Sequence, residues 1–112
     1  MFVYSCASAP KSYTPLDETK AELAETKSEP GISEVASVTL FEADEQIKYA
    51  ESALSENDAA AADHHIYLAT GKLQIAQELL LKHQQEQELI NLKQQQDEII
   101  AHARRTESRR AQ

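Results

Sequence analysis

Alanine alternates with leucine or isoleucine at steps of four and three residues through Ala36, Leu40, Ala43, Ile47, Ala50 and Leu54. The same alternation restarts at Ala62 and runs through Ile66, Ala69, Leu73, Ala76 and Leu80. A mean step of about 3.5 residues places all of these side chains on one face of a helix, whereas a strand would scatter them over both faces. Each stretch therefore predicts an α-helix with a single narrow apolar seam. Between them lies Ser55-Glu56-Asn57-Asp58. Asn can take the left-handed position that closes a helix, and Asp can accept the free amides that open the next one. The two rods thus fold back on each other as an antiparallel αα-hairpin. Small side chains facing large ones let the two axes approach closely. Six positions per helix supply about 10 to 20 kcal/mol of gross hydrophobic free energy, most of it offset by conformational entropy.

The flanks read differently. Thr14 resembles an N-cap with Pro15 at the first helical position, and Asp17 and Glu18 suit the positive end of a helix dipole. A short helix from Pro15 to about Lys27 follows, with Leu16, Ala21, Leu23 and Ala24 as its apolar content. So little apolar surface cannot hold a helix alone, so it must dock or fray. Ser28-Glu29-Pro30-Gly31 ends it. The second helix is expected to begin at Ser33 or Ser37. In the third, Leu68, Ile75 and Leu79 form a second stripe, open to the N-terminal helix or to another protomer. Gly71 lies away from the seam, as tolerated drift or as the site of a close helix crossing.

Past Leu80 the seam would continue through His83, Gln87, Ile90, Gln94 and Asp97, which is mostly polar. The apolar set shifts to Leu81, Leu89, Leu92, Ile99 and Ala103, interrupted by Gln85 and Gln96. With no Gly or Pro and many Gln and Glu, the stretch still favours helix. One helix is expected from 59 to about 105, near 70 Å long at about 1.5 Å per residue, its distal half overhanging the hairpin. The fold class is all-α: an antiparallel helical hairpin with a short N-terminal helix and a long, overhanging, coiled-coil-like C-terminal helix. Its segments are a tether at 1–14, a short helix at 15–28, the alanine-rich hairpin at 33–82 and a polar extension with a basic tail at 83–112.

Two glycines and three prolines provide few turns, and 5% aromatic content provides few β-formers, which excludes a sandwich or barrel. The net charge of −8 argues against a general nucleic-acid binder. It is confined to residues 1–58, with twelve acids and four bases; residues 59–112 hold seven of each. Arg104, Arg105, Arg109 and Arg110 sit at the negative end of the last helix, either as dipole partners or as a patch for an acidic partner. His64 and His65 are adjacent and diverge by about 100° on a helix, and His83 and His102 lack a clean i, i+4 ligand. Asp44-Glu45 is expected on the solvent side, and Tyr49 and Tyr67 at the core edge. Nucleophile elbow, phosphate loop and zinc motif are all missing from the sequence. The expectation is a chain without catalysis, cofactor or metal.

Met1-Phe-Val-Tyr-Ser-Cys-Ala-Ser-Ala puts small residues around a lone cysteine. The run resembles the lipobox of bacterial lipoproteins, with Val3 apolar, Ser5 small and Cys6 as the lipidated residue. Tyr4 is bulkier than the usual occupant, and the leader of such a lipobox would lie upstream of Met1. Together with Leu40, Ala43, Ile47, Ala50, Leu54, the Asn57-Asp58 reversal, Ala62, Ala69, Leu73 and Ala76, this start is similar to a bacterial envelope family of unknown function, DUF4398. That family occurs in small lipoproteins and ahead of OmpA-like peptidoglycan-binding domains, and its reversal often has Gly where Asn57 stands.

The resemblance implies acyl chains on Cys6, with Ala7 after it suggesting the outer membrane, and no known catalysis. The expected protein is a lipid-anchored periplasmic spacer or protein-docking module of the cell envelope. Leu89, Leu92 and Ile99 are the candidate docking residues. An unidentified envelope protein or a second copy, giving a homodimer, is the expected partner. The alternative is a soluble cytoplasmic coiled-coil adaptor that self-associates through its C-terminal half, with Cys6 a free thiol.

Overall fold

The computed structural model describes residues 12–111. Three helices follow one another: α1 at Thr14–Lys27, α2 at Ile32–Ser55 and α3 at Ala59–Arg110. Cross-helix pairs fix their directions. His65 Nδ1 lies 2.8 Å from Gln46 Oε1, and Lys72 Nζ lies 2.5 Å from Glu42, so rising numbers in α3 meet falling numbers in α2. Lys20 Nζ reaches Glu51 at 2.6 Å. Tyr13 is bonded to Asp63 and Thr26 to Gln77, so α1 runs parallel to α3 and antiparallel to α2.

The reversal between α2 and α3 is built as its residues dictate. Asn57 adopts φ 58°. Its amide donates to the Leu54 carbonyl at 3.0 Å, and the Asp58 amide donates to the Ala53 carbonyl at 2.8 Å. This double closure satisfies carbonyls that the end of α2 would otherwise leave free. The Asp58 carboxylate then accepts the Ala61 amide at 3.0 Å and opens α3. At the other reversal Gly31, at φ 85°, carries the chain from α1 into α2. That turn rests against Leu80, whose Cδ1 is 3.7 Å from where a Gly31 Cβ would be.

All six seam positions of α3 are buried, from Ala62 to Leu80, and Ala36, Leu40, Ala43, Ile47 and Ala50 are buried opposite them. Ala43, Ala50, Ala62, Ala69 and Ala76 have no exposed surface at all. Large side chains there would push the axes apart. Leu54 is only half-buried and Ala53 is the buried residue of that turn, because the chain is already turning away toward Asn57.

Other local expectations are corrected. Thr14 does not cap α1: Tyr13 occupies the N-cap position with extended backbone and no side-chain bond to the helix amides. Ala21 and Ala24 are exposed, and the docked face of α1 is Leu16, Thr19, Leu23 and Thr26. Thr can be buried there because its hydroxyl is used: Thr19 Oγ1 donates to the Pro15 carbonyl at 2.8 Å, and Thr26 Oγ1 accepts from Gln77 Nε2 at 3.2 Å. Helix α2 begins at Ile32, ahead of Ser33, and its regular path is broken at Ala36 (φ −138°, ψ 22°). Ile32, beyond that break, is among the most deeply buried side chains.

Tyr67, at 76% exposure, and Tyr49 point to solvent and do not line the core edge. The expected tether at 1–14 lies mostly outside the described residues, and where it is described Tyr13 packs on the core. Of the second stripe on α3, Leu79 joins the core edge while Ile75 stays exposed, and α1 takes the other flank of α3 through Asp63 and Gln77. Gly71 has open space where its Cβ would stand, so no helix among the described residues crosses there.

Candidate functional site

Beyond Leu80 the bundle ends and α3 does not. Residues 81–110 continue as helix without a neighbouring element among the described residues, an arm about 45 Å long at about 1.5 Å per residue. Helix α3 ends five residues later than the sequence predicts. Arg109 and Arg110 in its last turn suit the negative end of the dipole. Lys82 and Glu86 stand one turn apart, 4.0 Å between charged groups. Such exposed pairs add only about 0.3 to 0.5 kcal/mol each, so intrinsic propensity carries the arm.

Leu89, Leu92 and Ile99 are 66%, 53% and 69% exposed. They cannot serve the seam that ends at Leu80. Nine residues at about 100° each put Leu89 roughly half a turn from Leu80, on the opposite side of the axis. The steps from Gln85 through Leu89, Leu92, Gln96, Ile99 and Ala103 to Thr106 alternate four and three. The spacing of this second seam is as regular as that of the first, and it has no partner helix among the described residues.

Nearer the bundle, open grooves lie over Leu68, Gly71 and Ile75 on α3, and between Lys27 and the Ile32 to Asp44 face of α2. Both are open to solvent and lined by aliphatic and polar side chains, with Tyr67 in the first and Phe41 in the second. His64 and His65 diverge, their ring centres 5.6 Å apart, and His65 lies 5.4 Å from the Tyr49 ring. Among the described residues no three His, Cys, Asp or Glu side chains converge to hold a metal ion. Asp44 and Glu45, expected on the solvent side, are half-buried, and Asp44 is paired with Lys48 at 3.2 Å. The Tyr13 hydroxyl is perturbed by its neighbour. Its bond to Asp63 holds the proton and raises its pKa above the ordinary 10.0, with burial and the Asp63 charge acting in the same direction. No described helix is long and apolar enough to cross a membrane. Cys6, the candidate lipidation residue, lies outside the described residues.

The sequence profile of the domain of unknown function DUF4398 matches residues 14–92, which takes in α1, the whole hairpin and the first dozen residues of the arm. The chain belongs to the DUF4398 family. No curated protein and no solved structure matches it. The DUF4398 region stops at Leu92, inside the second seam, so Ile99 and the arginines lie beyond it. Sequence reasoning missed Tyr13, Thr19, Thr26 and Ile32. The signal for the threonines was present: Leu16, Thr19, Leu23 and Thr26 step by three, four and three. Ile32 likewise stands one turn before Ala36.

Proposed function

We propose that this DUF4398 protein is a non-catalytic helical spacer and protein-docking module of the bacterial cell envelope, held at the outer membrane by acyl chains on Cys6 and facing the periplasm. The observation that carries the docking part is the arm. Leu89, Leu92 and Ile99 stand exposed on one line, beyond the reach of the bundle that would otherwise bury them. A helix of 52 residues spans about 78 Å, far more than its own hairpin needs, and gives a spacer its reach. The anchoring part rests on the lipobox-like run ending in Cys6. Each buried CH₂ of an acyl chain contributes about 0.8 kcal/mol, so two or three chains hold a protein of 12.5 kDa at a bilayer where one would not. The association of such chains with OmpA-like domains belongs to the same reading.

Fractionation of cells expressing the gene from its own upstream DNA tests the anchor. The wild-type chain is expected in the outer-membrane fraction and the Cys6→Ser variant in the soluble fraction. Soluble protein in both cases defeats the anchor and leaves the cytoplasmic adaptor.

A further inference from the structure

The second seam of α3 carries its own complementarity in spacing and charge. We propose that two chains pair through their arms as a parallel, in-register, two-stranded coiled coil, from Gln85 to Thr106. The inference rests on reading the arm as a docking element and names what docks there. In a seam of this spacing Leu89, Gln96 and Ala103 take one set of core positions and Gln85, Leu92, Ile99 and Thr106 the other. In register, every layer then meets its own kind: leucine on leucine, isoleucine on isoleucine, and the Gln96 amides on each other, where each can donate and accept.

The flanking charges select the same geometry. Parallel coils pair a flanking residue with the one five positions later on the partner helix. Glu88 of one copy then faces Lys93 of the other, and His102 faces Glu107; each contact occurs twice by symmetry, and no like charges meet. Antiparallel registers lack this agreement. The one that pairs Leu92 with Ala103 brings Glu88 beside Arg109 but sets Gln96 against Ile99 and Glu86 beside Glu107. The one that pairs Leu89 with Leu92 sets Ile99 against Lys82 and Ala103 against Glu78.

The zipper also has a natural end. One heptad before Leu89 stands Lys82, and before that Glu78, both on the same line of the helix. In register these face their own copies, so like charges separate the helices there and the two bundles splay apart. The outer faces at Leu68 and Ile75 stay free. A polar residue at a core position, here Gln96, is a known way of holding two helices in one register.

Sedimentation equilibrium of the full chain in a Cys6→Ser background reads the assembly, and that background removes any dimer linked through the thiol. A dimer mass is expected, lost in Leu92→Asp while the bundle's thermal transition persists. Glu88→Lys is expected to weaken the dimer by about tenfold, and adding Lys93→Glu to restore it to within about twofold. Thr106→Cys, in the same background, is expected to form a disulfide between identical positions on mild oxidation. A monomer, a trimer or a tetramer overturns the proposal, as does a dimer that Leu92→Asp leaves intact. So does a dimer in which the charge exchange fails to restore affinity or Thr106→Cys fails to cross-link. Each of these outcomes is independent of where Cys6 places the chain, so fractionation and sedimentation fail separately.

Discussion

The Tyr13 hydroxyl donates to the Asp63 carboxylate across 50 residues of sequence and ties the start of α1 to the first turns of α3. This bond raises the Tyr13 pKa above 10.0, so folding favours the protonated phenol. Its contribution to stability is complete below the unfolded tyrosine value and disappears as pH rises through the raised folded value. Tyr13→Phe is expected to lower the melting temperature at neutral pH and to remove part of the alkaline loss. Melts by circular dichroism at neutral pH and above pH 10 compare the two proteins. A wild-type chain and a variant that lose stability in parallel would show that the bond contributes nothing.

Asn57 and Asp58 divide the reversal between them, so their substitutions have different signatures. Asn57→Gly keeps φ 58° accessible without a Cβ and is expected to leave stability unchanged or higher. Asn57→Ala is expected to lose about 1 kcal/mol to left-handed strain. Asp58→Ala loses the acceptor for the Ala61 amide, and about 1 kcal/mol is again expected. Urea unfolding midpoints rank the three.

Leu73 has no exposed surface and sits midway along the α3 seam. Leu73→Ala is expected to destabilise by about 2 to 5 kcal/mol through lost contacts and residual cavity. Leu73→Asp places an unpaired charge in the same site and is expected to abolish the thermal transition. Circular dichroism reads both.

Thr26 is 1% exposed, yet its hydroxyl bond runs to Gln77, which water can solvate. Thr26→Val keeps the shape and is expected to change stability by less than about 1 kcal/mol. Thr26→Lys cannot be accommodated and is expected to release α1 while α2 and α3 stay paired. Limited trypsin digestion should then cut rapidly after Lys20 and Lys27 in that variant alone.

Gly71 spends helical propensity with nothing packed where a side chain would be. Gly71→Ala is expected to stabilise the chain by about 1 kcal/mol, measured by chemical unfolding, and to leave its assembly state unchanged.

The hairpin was legible because its information is local and periodic. Fourteen residues of α1 carry too little of it. Their alanines draw attention as apolar, but Ala21 and Ala24 face water, and the core takes Thr19 and Thr26 because neighbouring oxygen and amide groups satisfy their hydroxyls. Leu89, Leu92 and Ile99 could be read as an unused stripe from spacing alone. Their exposure follows from the expected overhang past Leu80, and the structure shows it.

Sequence by itself determined the helical periods, the Asn57-Asp58 reversal and the two seams of α3, because backbone preference and heptad spacing act within a few residues. Tertiary structure decided the rest: which flank of α3 receives α1, that Tyr13 reaches Asp63, and that the bundle closes at Leu80 against the Gly31 turn. Those outcomes depend on distances between groups remote in the chain. No local propensity encodes them, and they become defined only when the packed helices bring the groups together.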